Sequence, residues 1–184
     1  MIIIVVGQPS SGKDTVSYKI VEYGFSHVSS GDIIRRDMKI KGLSLDRESM
    51  YHFVLKKRSK EGAFYPANEI AEQLKEGDNI VISGFRNLSE VDYLKKRFPK
   101  EVKVIALTVP LEIRFQRAKD RNRAGDDISL EKFKEQEDRE RTKTEAHNLD
   151  EVIASADHLI ENSGSLEDLY EKIESVMAII LKAR

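Results

Sequence analysis

The sequence of 184 residues has no cysteine, no tryptophan and only four prolines. The absence of cysteine excludes disulfide bridges, thiolate catalysis and cysteine-ligated zinc. The charges also balance, since the chain has 31 lysines and arginines and 32 aspartates and glutamates. No overall positive field therefore exists to hold a nucleic acid polymer. No apolar run approaches the roughly 20 residues that cross a bilayer. We therefore expect a cytoplasmic protein that binds neither membranes nor nucleic acid polymers.

Short apolar runs alternate with longer, charged stretches along the chain. The runs are 2–6, 25–29, 79–83, 102–109 and 157–161. Several are apolar at every position, which is typical of strands covered on both faces and therefore of a parallel sheet. The pattern predicts an α/β fold in which helices flank a five-stranded parallel sheet, with one domain over 1–184.

Two charged stretches interrupt this alternation. Residues 41–76 predict two helices, 46–60 and 66–76, which would form a helical insert. Residues 131–145 have the charge pattern of an exposed helix with a solvated face.

The first strand runs into Gly7-Gln-Pro-Ser-Ser-Gly12-Lys13-Asp14-Thr15, which fits the phosphate-binding pattern G-x-x-x-x-G-K. Glycine allows successive N–H groups to point inward, the next helix offers its positive end, and Lys13 supplies a mobile cation. The sequence therefore predicts a P-loop NTPase that binds ATP. The residues expected to contact its phosphates are Gly7, Ser10, Ser11, Gly12, Lys13, Asp14 and Thr15.

Magnesium is the expected cofactor. Thr15 offers a hydroxyl to the metal, and Asp14, which stands where the strict pattern has Ser or Thr, is expected to hold a metal-bound water. The third strand ends at Ser83 rather than at the acid usual in large ATPases, and no N-K-x-D motif is present to read guanine. Both ATPases of that type and GTPases are therefore disfavoured.

Other motifs resemble those of nucleotide kinases in collinear order. Gly12-Lys-Asp-Thr15 resembles G-K-G-T of adenylate kinases and G-K-D-T of some deoxynucleoside monophosphate kinases. His27-Val-Ser-Ser-Gly-Asp-Ile-Ile-Arg35 resembles H-I-S-T-G-D-M-L-R, and Ser83-Gly-Phe-Arg-Asn87 is similar to D-G-F-P-R without its Asp and Pro. The whole chain is similar to archaeal-type nucleotide kinases related to adenylate and cytidylate kinases, which share the fold of dephospho-CoA kinase. The resemblance implies transfer of the γ-phosphoryl of ATP to a nucleoside or deoxynucleoside monophosphate.

The same resemblance implies a role for each matching residue. The acceptor-binding residues would be Asp32, Arg35, Gly84 and Arg86. The run from Arg114 to Asp127 is similar to the segment that opens the kinase lid, with Arg139 and Arg141 where later lid arginines fall. The resemblance therefore implies a short lid over 117–145 and places the insert 41–76 on the acceptor side. The catalytic residues would be Lys13, Asp32, Arg117, Arg121 and Arg123. The residues beside the adenine would be Asn162, Ser163 and Gly164. Arginine suits these roles because its planar fork meets phosphate oxygens bidentately.

Several alternatives remain open from the sequence. Asp32 would orient Arg35, cap its own helix, or act as general base if the acceptor is a ribose hydroxyl, as in dephospho-CoA kinase. Phe53, Phe64 and Tyr65 would either pack in the core or stack on an acceptor base. His27 is expected to pack. A nucleotide-binding module without catalysis is the alternative of another class, because Ser83 replaces the usual acid.

Overall fold

The computed structural model describes residues 1–75, 77–121, 129–141 and 148–182. The strands are β1 (Ile2–Gly7), β2 (Ser26–Ser29), β3 (Ile80–Ser83), β4 (Val102–Thr108) and β5 (His158–Glu161). The helices are α1 (Lys13–Val21), α2 (Ser30–Ile40), α3 (Arg47–Glu61), α4 (Ala67–Gln73), α5 (Leu88–Arg97), α6 (Leu111–Arg121), α7 (Leu130–Arg141), α8 (Leu149–Ala154) and α9 (Leu166–Lys182).

The five strands form one parallel sheet in the order β2-β3-β1-β4-β5. This confirms the α/β prediction, and each predicted strand agrees with the observed one to within a residue at either end. The register places Val5 of β1 opposite Ser83 and Ile105. The carboxyl ends of β1, β3 and β4 therefore meet at one edge of the sheet, which is where ligands bind in folds of this kind.

Both faces of the sheet are covered by helices. On one face, β1, β3 and β4 pack against α4, α5 and α8 through residues that include Ile4, Ile82, Val104, Ile70 and Leu94. On the other face, the alternate residues of the same strands pack against α1 and α9 through residues that include Ile3, Val5, Val16, Ile20 and Ile173. The continuously apolar strands predicted from the sequence are therefore explained by burial on both sides.

Helices α2, α3 and α4 are joined by a network of ion pairs. Lys57 of α3 lies 3.3 Å from Asp37 of α2 and 3.3 Å from Glu69 of α4. Arg36 lies 2.7 Å from the same Glu69, and the hydroxyl of Tyr65 donates to Asp37 at 3.2 Å. The two predicted helices of the insert are present, but the second one ends at Gln73 rather than at 76.

Helix α7 differs from the wholly exposed helix that its charges predict. Phe133 is 1% exposed and packs against Phe115 of α6, and the buried Glu137 forms an ion pair with Arg114. One face of α7 is therefore packed, because an aromatic side chain and a paired carboxylate supply it with a buried contact. The sequence also did not predict the short helix α8. No helix in the described part of the chain is long and apolar enough to span a bilayer.

Candidate active site

The loop between β1 and α1 has the backbone of a phosphate cradle. Gly12 has a φ of 93°, and a Cβ there would lie 2.5 Å from the side-chain nitrogen of Asn162. Ser10 also has a positive φ, of 58°. These left-handed residues turn the chain sharply into α1, so the free N–H groups of the first turn of that helix face the loop.

Lys13 is folded onto this loop. Its Nζ donates to the carbonyl oxygens of Gly7 at 3.0 Å and of Gln8 at 2.8 Å. Burial, with the nearby cations of Arg86, Arg121 and Arg114, lowers the pKa of Lys13 to about 7, although the carboxylate of Asp14 opposes the shift. A phosphate in the loop would supply the negative charge that favours the protonated amine.

Unsatisfied polar atoms line the same loop. Among the described residues, Gln8 Oε1, Ser10 Oγ and Ser11 Oγ are buried and have no hydrogen-bond partner. Buried polar atoms are nearly always paired, so three orphans in one loop suit a polar ligand. The loop is also held by the residue that follows β5, because Asn162 Nδ2 donates to the carbonyl of Ser11 at 2.9 Å.

A cleft of about 620 Å³ opens in front of the loop. It brings together the residues predicted from four separate motifs. Those that line it are Ser10, Gly12, Lys13, Asp14, Thr15, Arg35, Gly84, Arg86, Arg117 and Arg121. The lining does not include Gly7, Ser11, Asp32, Asn162, Ser163 or Gly164. The loops after β1, β2 and β3 therefore converge on one cleft, and the segment after β4 contributes through α6.

Two arginines reach the cleft from α6. Arg117 and Arg121 are four residues apart, so they share one helix face. In the part of the chain that the structure describes, Arg117 Nη1 is buried and has no hydrogen-bond partner. Arg123 lies outside the described residues, as do the side chains of Arg139 and Arg141. A cation whose donor has no protein partner is suited to bind an anion that enters the cleft.

Asp32 does not cap its helix. Helix α2 begins at Ser30, with Ser29 at the N-cap position, so Asp32 lies in the first turn and the capping interpretation is wrong. Its carboxylate accepts from Arg35 Nη2, and 72% of the Asp32 side chain is exposed. The guanidinium of Arg35 lies over Gly31, where a Cβ would be 3.2 Å away. The geometry agrees with Asp32 orienting Arg35.

Ser83 stands at the carboxyl end of β3, where the usual acid is missing. Its hydroxyl lies 3.0 Å from Nε2 of His27 on β2, and the His27 ring packs edge-on against Tyr18. Burial lowers the pKa of His27 and favours the neutral imidazole, although the carboxylates of Asp14 and Asp32 oppose the shift. His27 therefore packs, as expected.

The described residues fit magnesium only in part. No three acidic or histidine side chains within 1–75, 77–121, 129–141 and 148–182 form a cluster that could hold a metal by themselves. Thr15 and Asp14 both line the cleft beside the loop. This donor set suits a metal that is held largely by phosphate oxygens and water, as Mg²⁺ commonly is.

Helix α2 and the insert supply an apolar wall to the same cleft. The side chains that form it are Ile34, Leu45, Met50, Tyr51 and Val54. Phe53 and Tyr65 are instead buried with Met38, and Phe64 stacks on Tyr93 at a ring distance of 4.5 Å, outside the lining of the cleft. The core interpretation is therefore correct for Phe53 and Tyr65.

Sequence reasoning missed Arg58, Glu90 and Tyr51, which also line the cleft. Glu90 belongs to a capping box with Asn87, in which Ser89 N donates to Asn87 Oδ1 at 3.0 Å. The spacing Asn-x-x-Glu before an apolar run is a recognisable signal for this cap. The sequence holds no comparable signal for Arg58 or Tyr51.

Comparisons with known proteins agree with this geometry. Residues 6–134 match the family model described as AAA domain. A UPF0200/UPF0201 protein of Archaeoglobus fulgidus is 37% identical over 98% of the chain, which spans only 56% of that relative. A UPF0200 protein of Thermococcus gammatolerans is 32% identical over 99% of the chain and 96% of its own length.

A solved structure supports the fold. The shikimate kinase of Acinetobacter baumannii, in complex with shikimate, superposes with a TM-score of 0.59 at 21% identity, covering 100% of this chain and 94% of that one. At this identity the likeness concerns the fold, which is that of P-loop kinases, and it does not single out adenylate kinases. By its matches over nearly the whole length, the chain belongs to the UPF0200 family and carries the P-loop domain of the AAA domain model.

Proposed function

We propose that the protein is an ATP-dependent phosphotransferase that moves the γ-phosphoryl to a nucleoside or deoxynucleoside monophosphate. The observation that carries the proposal is one cleft lined both by the phosphate loop and by Arg35 and Arg86. Arg117 and Arg121 reach the same cleft from α6. This arrangement supplies cations for the donor, for the group in transfer and for the acceptor.

The chemistry requires little covalent participation by the protein. The bond between the γ-phosphorus and the bridging oxygen of ADP breaks as a bond to the acceptor oxygen forms, and the negative charge is spread over the equatorial oxygens. Lys13 would leave the carbonyls of Gly7 and Gln8 for the donor phosphates. Arg117 and Arg121 would stabilise the transferring group. Mg²⁺, when bound near Thr15 and Asp14, would supply charge neutralisation of the ATP phosphates.

A monophosphate acceptor suits the acceptor side of the cleft. The phosphate oxygen of such an acceptor is already anionic near pH 7, so no general base is needed, and Arg35 and Arg86 offer it charge-assisted hydrogen bonds. The apolar wall from the insert, with Tyr51 and Met50, suits a flat base rather than a polyhydroxyl group. Asn162, Ser163 and Gly164 are proposed to lie near the adenine of ATP. Residues 117–145 are proposed to form a lid, of which 122–128 and 142–145 lie outside the described residues.

Transfer to a hydroxyl is the second candidate. The exposed carboxylate of Asp32 favours it, because a ribose hydroxyl must lose its proton and Asp32 stands at the start of α2, beside Gly31 and Arg35 of the cleft lining. The shikimate kinase that shares this fold was solved in complex with shikimate. A nucleotide-binding module without turnover is the third candidate, which the serine at position 83 favours.

A coupled assay distinguishes the three candidates. The protein is incubated with ATP, Mg²⁺ and, one at a time, ribo- and deoxyribonucleoside monophosphates and dephospho-CoA, and ADP release is followed. Turnover with a monophosphate supports the proposal. Turnover only with dephospho-CoA supports the hydroxyl acceptor, and tight ATP binding without turnover supports the module. Lys13→Met is the control, since it removes the donor cation while leaving the fold.

A further inference from the structure

A buried ion pair lies where the insert meets the acceptor side of the cleft. Arg58 of α3 and Glu90 of α5 have side chains that are 5% and 2% exposed, and Arg58 Nη2 lies 3.2 Å from Glu90 Oε2. Arg58 is itself held by a hydrogen bond from Nε to the carbonyl of Tyr65 at 3.0 Å. The bond to Tyr65, in the segment between α3 and α4, therefore holds the guanidinium beside the carboxylate.

The carboxylate of Glu90, which pairs with Arg58, also binds the backbone of Arg86. The same oxygen, Oε2, accepts the backbone N–H of Arg86 and that of Asn87, each at 2.8 Å. The carbonyl of Arg86 accepts the backbone N–H of Asn148 at 2.7 Å. Both backbone polar groups of Arg86 are therefore held by groups from other parts of the chain.

We infer that Arg58 is a positioning residue for Arg86 and acts through Glu90. The inference rests on the proposed function in that Arg86 is taken to bind the acceptor. Burial raises the pKa of Glu90, while Arg58, the N–H groups of Arg86 and Asn87, and the Arg86 cation oppose the rise. A charged carboxylate accepts stronger hydrogen bonds than a neutral one, so Arg58 tightens the hold on the Arg86 backbone.

The first experiment measures the Michaelis constants of variants with ATP and with the acceptor that turns over fastest in the panel. Arg58→Met should raise KM for the acceptor by about 10- to 100-fold and leave KM for ATP within about twofold, because the arginine at the acceptor shifts while the P-loop does not. Arg97→Met is the matched control, because Arg97 lies on α5 outside the lining of the cleft. It should leave both constants unchanged.

The double variant R58M/E90Q separates positioning from direct contact. The amide oxygen that replaces the carboxylate at position 90 can still accept the N–H groups of Arg86 and Asn87. Because the amide is neutral, no charge is buried without a partner. If Arg58 acts through Glu90, the two changes are not additive, and the acceptor KM of the double variant should lie within about threefold of that of Glu90→Gln alone. If Arg58 binds the acceptor itself, adding Arg58→Met to Glu90→Gln raises the acceptor KM by a further factor of about 10 or more, on the order expected for Arg58→Met alone, and the inference is overturned.

A second experiment needs no turnover. In ¹⁵N–¹H spectra, the amide signals of Arg86 and Asn87 should shift with pH as Glu90 titrates, and the midpoint should be higher in Arg58→Met than in the wild type. Arg58→Lys, which keeps the charge, should restore the lower midpoint. If Arg58→Met does not fold, the double variant carries the test, and its two amides must lose the titration that the wild type shows.

The two experiments fail independently. Lys13 also titrates close to Arg86, so the spectra are recorded with Lys13→Met in every variant. Equal midpoints with and without Arg58→Met, or amides in the double variant that still titrate, would overturn the inference whatever the activity. If the midpoint is raised in Arg58→Met but the wild type turns over none of the acceptors, the positioning of Arg86 by Arg58 is supported and the proposed function is refuted.

Discussion

Binding of ATP should be accompanied by uptake of a proton at Lys13. The free amine has a pKa of about 7, because it is buried and close to Arg86, Arg121 and Arg114. The phosphates of ATP bring negative charge to the same place and return the pKa toward its ordinary value, near 10.5. At any pH between these two values, the complex therefore holds more protons than the free protein.

The size of the effect follows from these two values. At pH 8, about one tenth of the free protein carries the proton on Lys13 and nearly all of the complex does, so each binding event takes up about 0.9 proton. At pH 6 the uptake falls to about 0.1 proton. The same linkage weakens the affinity for ATP by about 50-fold between pH 7 and pH 9.

Isothermal titration calorimetry with MgATP and no acceptor measures the uptake, from the dependence of the binding enthalpy on the ionisation enthalpy of the buffer. At pH 8 the terminal phosphate of ATP is itself deprotonated, since its last pKa lies near about 6 to 7. Lys13→Met should abolish the uptake. Lys19→Met is the control and should keep the uptake, because Lys19 lies on the same helix as Lys13 but pairs with Glu22 just after the end of that helix. Uptake close to zero in the wild type at pH 8, or uptake that survives in Lys13→Met, would refute the role given to Lys13.

Three further substitutions test separate parts of the site. Gly12→Ala should lower ATP affinity by more than about tenfold, because a φ of 93° strains any other residue by about 1–3 kcal/mol and the added Cβ meets Asn162. Titration calorimetry measures this affinity, and an unchanged value would contradict phosphate binding by the loop. Asn162→Ala should lower the melting temperature, since the buried carbonyl of Ser11 loses its donor at a cost of about 1–3 kcal/mol; calorimetric melting that matches the wild type would show that the bond is immaterial. Asp32→Asn should leave kcat nearly unchanged with a phosphate acceptor but lower it by about 10² to 10⁴-fold with a hydroxyl acceptor, so steady-state rates with each acceptor decide between an orienting carboxylate and a base.

The sheet and the phosphate loop are predictable because their signals are local. Each strand is a short apolar run, and the loop is a contiguous motif between β1 and α1. The positions of Arg35, Arg86 and Arg117 follow from the parallel topology, which brings the ends of their strands to one edge. The resemblance to nucleotide-kinase motifs assigned these arginines to one site, and the parallel topology explains why they share a cleft.

The remaining features depend on contacts between distant parts of the sequence. The bond from Asn162 to Ser11 joins residues 151 positions apart, and nothing in either neighbourhood indicates it. Arg58 is one of several charged residues in α3, and only the packing of α3 against α5 distinguishes it from an exposed one. The charge pattern of 131–145 likewise gives no indication that Glu137 is buried with Arg114.

The ion pairs around Lys57 connect the insert to the helix that precedes it. Because Lys57 binds Asp37 in α2 as well as Glu69 in α4, the insert depends on α2 for part of its contacts. A graft of residues 41–74 into another scaffold would separate Lys57 from Asp37 and Arg58 from Glu90. The smallest transplantable cassette therefore starts at Ser30, where α2 begins, and requires glutamate at position 90 of its host.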